Sequence, residues 1–100
     1  MNYDKHYRQP QVAAGWVPIV EEMLVALKAL PITIVQIKEK FGQLRVYGDY
    51  ADSVTDEQTT EIAKTIEVAV YKARHTCEIC GEPGKPVYIN VLGVRCEAHV

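Results

Sequence analysis

Three cysteines and a histidine near the end of the chain have the types and spacing to hold a metal ion. They are Cys77-Glu78-Ile79-Cys80-Gly81 and, with fifteen residues between Cys80 and Cys96, Cys96-Glu97-Ala98-His99. Two thiolates separated by two residues can grip one ion, and Gly81 permits the positive-φ turn beneath them. The whole set, C-x2-C-x15-C-x2-H, is a Cys3His group of the kind that binds zinc in a tetrahedron. It uses every cysteine in the sequence. Buried free cysteines and a redox C-x-x-C are the alternatives, and ligand type and spacing favour zinc over both. Four protein ligands leave no open position for an activated water, so the expected role of the zinc is structural.

Positioning four ligands on two separated knuckles requires a return of the chain. Val87 to Ile89 and Val91 to Arg95 read as a short hairpin that carries the second pair back to the first, a zinc-ribbon-like arrangement. The chain enters Cys77 directly from a helix. Thr55 with Gln58 forms a capping box, Asp56 and Glu57 suit the helix dipole, and Ile62, Ile66, Ala69, Val70 and Ala73 make a buried stripe. An earlier helix over Pro18 to Leu30 shows Ile19, Val20, Met23, Leu24, Leu27 and Leu30 at three-and-four spacing and stops at Pro31. Trp16 is expected beside it as a core anchor.

Between the helices, Ile32 to Glu39 and Gln43 to Tyr50 are rich in β-branched and aromatic residues and predict a hairpin. An even-numbered loop sets Ile37 opposite Val46 and Val35 opposite Gly48, whereas a three-residue loop sets Ile37 against Arg45. Phe41 disfavours the positive φ of a two-residue turn, so a four-residue loop from Lys40 to Gln43 is the expectation. Lys38 then faces Arg45, a small like-charge cost.

The sequence thus predicts an α+β fold: two helices packed on a β-hairpin or small antiparallel sheet, with a C-terminal zinc-ribbon-like Cys3His segment. Its organisation reads as a flexible N-terminal arm over residues 1–14, an α/β core over 15–76 and a zinc-binding segment over 77–100 fused to that core.

Composition narrows the function classes. The 100 residues are 48% hydrophobic and 24% charged, with 11 basic and 13 acidic side chains and a net charge of -2. That is too apolar for intrinsic disorder and carries no basic excess to coat a nucleic-acid backbone. The first ten residues hold Asp4, Lys5, His6 and Arg8 where a secretory signal would be apolar. The longest apolar run, Met23 to Leu27, is far short of the about 20 residues of a membrane-spanning helix. Three clustered cysteines do not make a disulfide framework, so a cytoplasmic setting is expected.

Trp16-x-Pro18-Ile19-Val20, Val35-Gln36-Ile37-Lys38-Glu39-Lys40-Phe41-Gly42-x-Leu44-Arg45-x-Tyr47, Cys77-x-x-Cys80-Gly81-x-x-Gly84 and Cys96-x-x-His99 together resemble a family. It comprises small, mostly uncharacterised proteins of bacteriophages, prophages and bacteria. The similarity runs over about residues 15 to 99, and I-K-E-K-F-G-x-L-R-x-Y is its most specific block. The resemblance implies a mobile-element origin, and in a phage-encoded protein the setting is the host cytoplasm.

In the even-loop register Gln36, Lys38, Lys40, Gln43, Arg45 and Tyr47 share one face of the hairpin. A basic, tyrosine-bearing face suits an acidic protein surface or a phosphate backbone, although the solvated side of any half-covered sheet is polar. No nucleophile elbow or Gly-rich phosphate loop is present. A His-Asn-His nuclease built from His75, Asn90 and His99 is set aside because zinc needs His99. The expectation is a non-enzymatic protein that binds and modulates a host protein, as an inhibitor of a host defence complex of the anti-CRISPR kind would. The alternative is a zinc-ribbon module binding nucleic acid. Against it, residues 71–100 set Lys72, Arg74, Lys85 and Arg95 against Glu78, Glu82 and Glu97, a weak electrostatic footprint. Hairpin edges also offer a route to a homodimer.

Because His99 is the last ligand, removing His99 and Val100 is expected to open the metal site. Elemental analysis of the purified truncated protein should find no tightly held zinc; one equivalent retained would show that the fourth ligand lies elsewhere.

Overall fold

The computed structural model describes residues 2–100. The chain is α+β, and the elements follow the order β1 (Asn2–Tyr3), a 3-10 turn (Ala14–Trp16), α1 (Val17–Leu27), β2 (Ile32–Lys40), β3 (Gln43–Tyr50), α2 (Asp56–Arg74), β4 (Lys85–Ile89), β5 (Val91–Arg95) and a closing 3-10 turn (Glu97–His99). Both helices form where the apolar spacing put them. α1 carries Pro18 in its first turn and buries Val20, Met23 and Leu27. It ends at Leu27, short of the expected Leu30, although Leu30 itself remains buried. α2 starts at the capping box: Gln58 N donates to Thr55 Oγ1 at 3.1 Å and Thr55 N donates to Gln58 Oε1 at 3.0 Å. Its stripe buries Ile62, Ala69 and Ala73, with Ile66 and Val70 half-buried against the same core. No helix among the described residues is long and apolar enough to cross a membrane.

The sheet has the order β1-β2-β3, with β2 and β3 antiparallel and β1 parallel to β2. Ile37 pairs with Val46 and Lys38 with Arg45, as the even register requires. Two details depart from expectation. The loop has two residues, not four: Lys40 pairs with Gln43, and Phe41 and Gly42 both take positive φ, at 52° and 76°. This is a primed turn, whose twist matches that of the strands. The cost of the left-handed Phe41 is opposed by Gly42 N donating to Glu39 Oε2 at 2.8 Å and by Lys40 Nζ lying 5.9 Å from the Phe41 ring centre. Second, Val35 does not face Gly48. The register shifts between Ile34 and Gln36, so Ile34 pairs with Gly48 and Gln36 with Tyr47. Ile32, Ile34 and Ile37 are all buried, a spacing of two and then three. Only an extra residue in the strand lets both halves aim inward, and Val35 is that residue. It lines a shallow outer pocket with Gln36, His6 and Arg8.

Residues 1–14, read from the sequence as a flexible arm, follow a defined path over the described residues 2–14. Asp4 N donates to Ile34 O at 2.8 Å, Gln11 N to Ile37 O at 2.9 Å and Glu39 N to Gln11 O at 3.1 Å. Tyr7 and Val12 pack against the core. The arm therefore satisfies the β2 edge, which would otherwise present unpaired main-chain groups. That edge explains the difference: a two-residue strand and an isolated bridge at Gln11 have no periodic sequence signature.

The second sheet is the β4–β5 hairpin, with Lys85 opposite Arg95 and Ile89 opposite Val91 around Asn90, whose φ is 64°. It is joined to the core through Val94, which is fully buried with Trp16 and Ile62. Trp16 Nε1 donates to Thr76 O at 2.8 Å, and Gly15 N donates to Glu78 O at 2.9 Å. A Cβ on Gly15 would lie 2.1 Å from Cys77 O, so the knuckle rests on bare backbone there.

The left-handed Phe41 generates a prediction. Phe41→Asn places at that position a residue that tolerates positive φ and forms the favoured Asn-Gly pair, and is expected to stabilise the fold by roughly 0.5–1 kcal/mol. Urea unfolding of both proteins checks this; a loss of stability would show that the Phe41 ring contributes more than the strain costs.

Candidate metal centre

Cys77 emerges from the end of α2, where His75 caps the helix and Thr76 forms a bridge with Pro83. The turn that follows is closed by Gly81 N donating to Cys77 O at 2.9 Å and Cys77 N donating to Glu82 O at 2.7 Å. Gly81 adopts φ 84°, as a residue without Cβ can. β5 then delivers Cys96, and the final 3-10 turn folds His99 back so that its N–H donates to Cys96 O at 3.1 Å. The sequence-predicted ligands therefore meet: Cys77 Sγ, Cys80 Sγ, Cys96 Sγ and a His99 ring nitrogen all lie within 4.8 Å of one another.

Two of the three close ligand separations match those around a tetrahedral ion. Zinc bonds of about 2.3 Å to sulfur and about 2.0 Å to nitrogen place tetrahedral ligand atoms roughly 3.5–3.8 Å apart. Cys80 Sγ and Cys96 Sγ are 3.6 Å apart, Cys77 Sγ and His99 Nδ1 3.7 Å, and Cys96 Sγ and His99 Nδ1 3.2 Å. Three soft thiolates and an imidazole match zinc's ligand preferences. Cys77 is buried, Cys96 and His99 are half-buried and Cys80 is exposed, so the site is anchored in the core at one corner and open to solvent at another.

Electrostatics divides the thiols. Burial pushes the Cys77 thiol up, but N–H groups of Cys80, Cys96 and Ile79 and the Cys96 side chain outweigh it and bring its pKa down to about 6. Cys80 goes the other way. The Glu82 N–H favours its thiolate, but partial desolvation, hydrogen bonds to Cys96 and Cys77 and the nearby Cys77 charge together raise it. Closely spaced thiolates repel, and a divalent cation between them removes that repulsion.

One supporting feature escaped the sequence reading. Glu78, between the first two ligands, accepts hydrogen bonds from Arg95 Nε at 3.3 Å and Arg95 Nη2 at 3.2 Å, while its second oxygen accepts from Val94 N at 3.3 Å. Arg95 Nη1 in turn donates to His99 O at 3.3 Å. This ion pair is largely screened from solvent and ties the two knuckles together beside the ligands. Opposite charges adjacent to Cys77 and Cys96 were the available signal, but only the hairpin return brings them together.

The partner-face residues are also placed. Gln36 pairs with Tyr47, Lys38 with Arg45 and Lys40 with Gln43, so all six lie on the sheet face opposite Ile37 and Leu44. Gln11 joins them, accepting from Gln36 Nε2 at 3.2 Å. Arg45 Nε is buried and has no hydrogen-bond partner among the described residues.

The lowered Cys77 pKa gives the metal-free fold a pH dependence. Its thiolate favours the folded state, so the contribution is full above the ordinary value of 9.0, declines as pH falls, and is gone below about 6. Urea midpoints of metal-free protein should therefore fall between pH 9 and pH 6, and Cys77→Ala should flatten that slope. A slope unchanged by the substitution would assign it to other groups.

No protein family, curated protein or solved structure matches the chain, so the reading of its function begins from the Cys3His geometry.

Proposed function

We propose that the Cys3His group holds a structural zinc ion and that the chain is a non-catalytic binding module for an acidic surface of a partner protein. The observation that carries the first half is the meeting of three thiol sulfurs and an imidazole nitrogen within 4.8 Å of one another. All four positions around the ion are filled by protein, a closed arrangement that serves folding rather than activation of water. When bound, the zinc would supply attachment between the helix end at Cys77 and the hairpin end at Cys96.

Support for the second half comes from the outer sheet face. Lys38 and Arg45 oppose each other across the strands, Lys40 stands next to them, and Arg45 Nε has no hydrogen-bond partner among the described residues. An arrangement that accepts like charges at small cost is complementary to carboxylates supplied from outside. The resemblance to mobile-element proteins makes a host protein, including a component of a defence complex, the reading for that partner. The ribbon is less suited to nucleic acid, because its basic and acidic side chains nearly balance.

The test is affinity capture from nuclease-treated host lysate with the zinc-loaded protein and with Lys38→Glu/Lys40→Glu. A host protein retained by the native chain and reduced at least about tenfold by the double substitution is the expected result, the scale expected for losing two charge contacts and creating two repulsions. Equal capture by both proteins would remove the face from the interaction. Retention only of nucleic acid when nuclease is omitted, weakening steeply with salt, would replace the reading by the zinc-ribbon alternative.

A further inference from the structure

The sheet is closed on one side and open on the other. The N-terminal segment hydrogen-bonds along β2, whereas β3 is the terminal strand of the order β1-β2-β3, and no main-chain bond reaches its outer side among the described residues. Tyr47, Gly48, Asp49 and Tyr50 are all exposed, so neither helix covers this stretch. A free strand edge of this length is a template for another strand.

The turn determines which main-chain groups point outward. Across a two-residue primed turn the closing pair, here Lys40 and Gln43, exchanges hydrogen bonds, and bonded and non-bonded pairs alternate from there. Gln43, Arg45 and Tyr47 therefore turn their N–H and C=O groups toward β2. Val46, Gly48 and Tyr50 present theirs to the open side, whereas Leu44 is buried.

We infer that β3 is a self-complementary edge through which two copies of this chain pair antiparallel about a two-fold axis at Tyr47. That register sets Val46 opposite Gly48 of the second copy, twice by symmetry, so the outward-pointing groups meet each other. On the polar face it sets Arg45 opposite Asp49 of the second copy, twice by symmetry, with the two Tyr47 rings adjacent at the centre. These are non-hydrogen-bonded positions, where opposed side chains approach most closely. Centring instead on Val46 places Arg45 against Tyr47 and Gln43 against Asp49, and centring on Gly48 places Arg45 against Ala51. Only the Tyr47-centred register matches the charges.

The charges concerned are those that the single chain leaves unmatched. Arg45 faces Lys38 across the hairpin, and its Nε is buried without a hydrogen-bond partner among the described residues. Asp49 lies opposite Thr33, and its carboxylate makes no hydrogen bond or ion pair among the described residues. In the pair of copies each Arg45 gains a carboxylate, and the two three-stranded sheets become one of six strands. This inference goes beyond the partner-binding reading and does not depend on it: its decisive residue Asp49 is not among the six partner-face residues, and Lys38→Glu/Lys40→Glu leaves the open edge of β3 intact.

The test is sedimentation equilibrium of the zinc-loaded full chain from about 1 μM to about 1 mM, the range in which an edge pairing of this size should show. A reversible monomer–dimer equilibrium is expected. Asp49→Arg and Arg45→Asp should each weaken it by about tenfold or more, since each replaces two attractions by two repulsions. The exchange Arg45→Asp/Asp49→Arg restores opposite charges and should recover dimerisation to within about threefold. Both single reversals are compatible with the monomer, because Asp at 45 faces Lys38 and Arg at 49 faces Thr33; circular dichroism verifies this. Concentration-dependent hydrogen-exchange protection at Val46 and Gly48 supplies a readout independent of the substitutions. A chain that stays monomeric throughout, or a dimer indifferent to both reversals, overturns the inference.

Discussion

The structure depends on the seating of the Cys77 knuckle against Gly15 and Trp16. The indole N–H reaches Thr76 O, and Gly15 N reaches Glu78 O from a distance that no side chain at position 15 would permit. Those two bonds fasten the end of α2 and the start of the metal segment to the turn that begins α1. Trp16 is fully buried and contributes the largest apolar surface of the core, so desolvation of one side chain and placement of two ligands are a single packing event. The cysteine segment is thereby built onto the helical layer instead of hanging from it.

Small size also bears on the Cys3His group. A chain of 100 residues buries a modest apolar core, and here Val94 is the fully buried residue that the β4–β5 hairpin adds to it. A metal ion held by Cys77, Cys80, Cys96 and His99, with Glu78 and Arg95 bonded beside it, would substitute directed bonds for the hydrophobic area that such a hairpin lacks. The sheet is organised by a different requirement. Ile32, Ile34 and Ile37 must all face the helices, and the bulge at Val35 reconciles their spacing with a strand's alternation. An unbulged strand would keep its first half out of phase with its second.

Physical reasons separate what was legible in the sequence from what was not. Caps, stripes and ligand spacing are local: Thr55 with Gln58, Ile62 with Ala69 and Ala73, and Cys77 with Cys80 state their geometry within one or two turns of chain. The hairpin register was legible at Ile37–Val46 and Lys38–Arg45 because burial of one face excludes odd slips. The loop length differs at Phe41, where the Glu39 carboxylate and the twist of the flanking strands outweigh intrinsic backbone preference. The register differs at Val35, because the need to aim Ile34 inward arises only when the helices lie above it.

By itself the sequence determined two amphipathic helices, a hairpin with one apolar and one basic face, and a Cys3His ligand set, since each follows from periodicity or from side-chain chemistry at short separation. Tertiary structure alone decided that residues 2–14 line the β2 edge, that β3 is left open, and that Glu78 meets Arg95 and through it His99. These features join residues far apart in the chain by main-chain edges and single side-chain contacts. Neither imposes a pattern along the chain, so they exist only once packing has set the elements side by side.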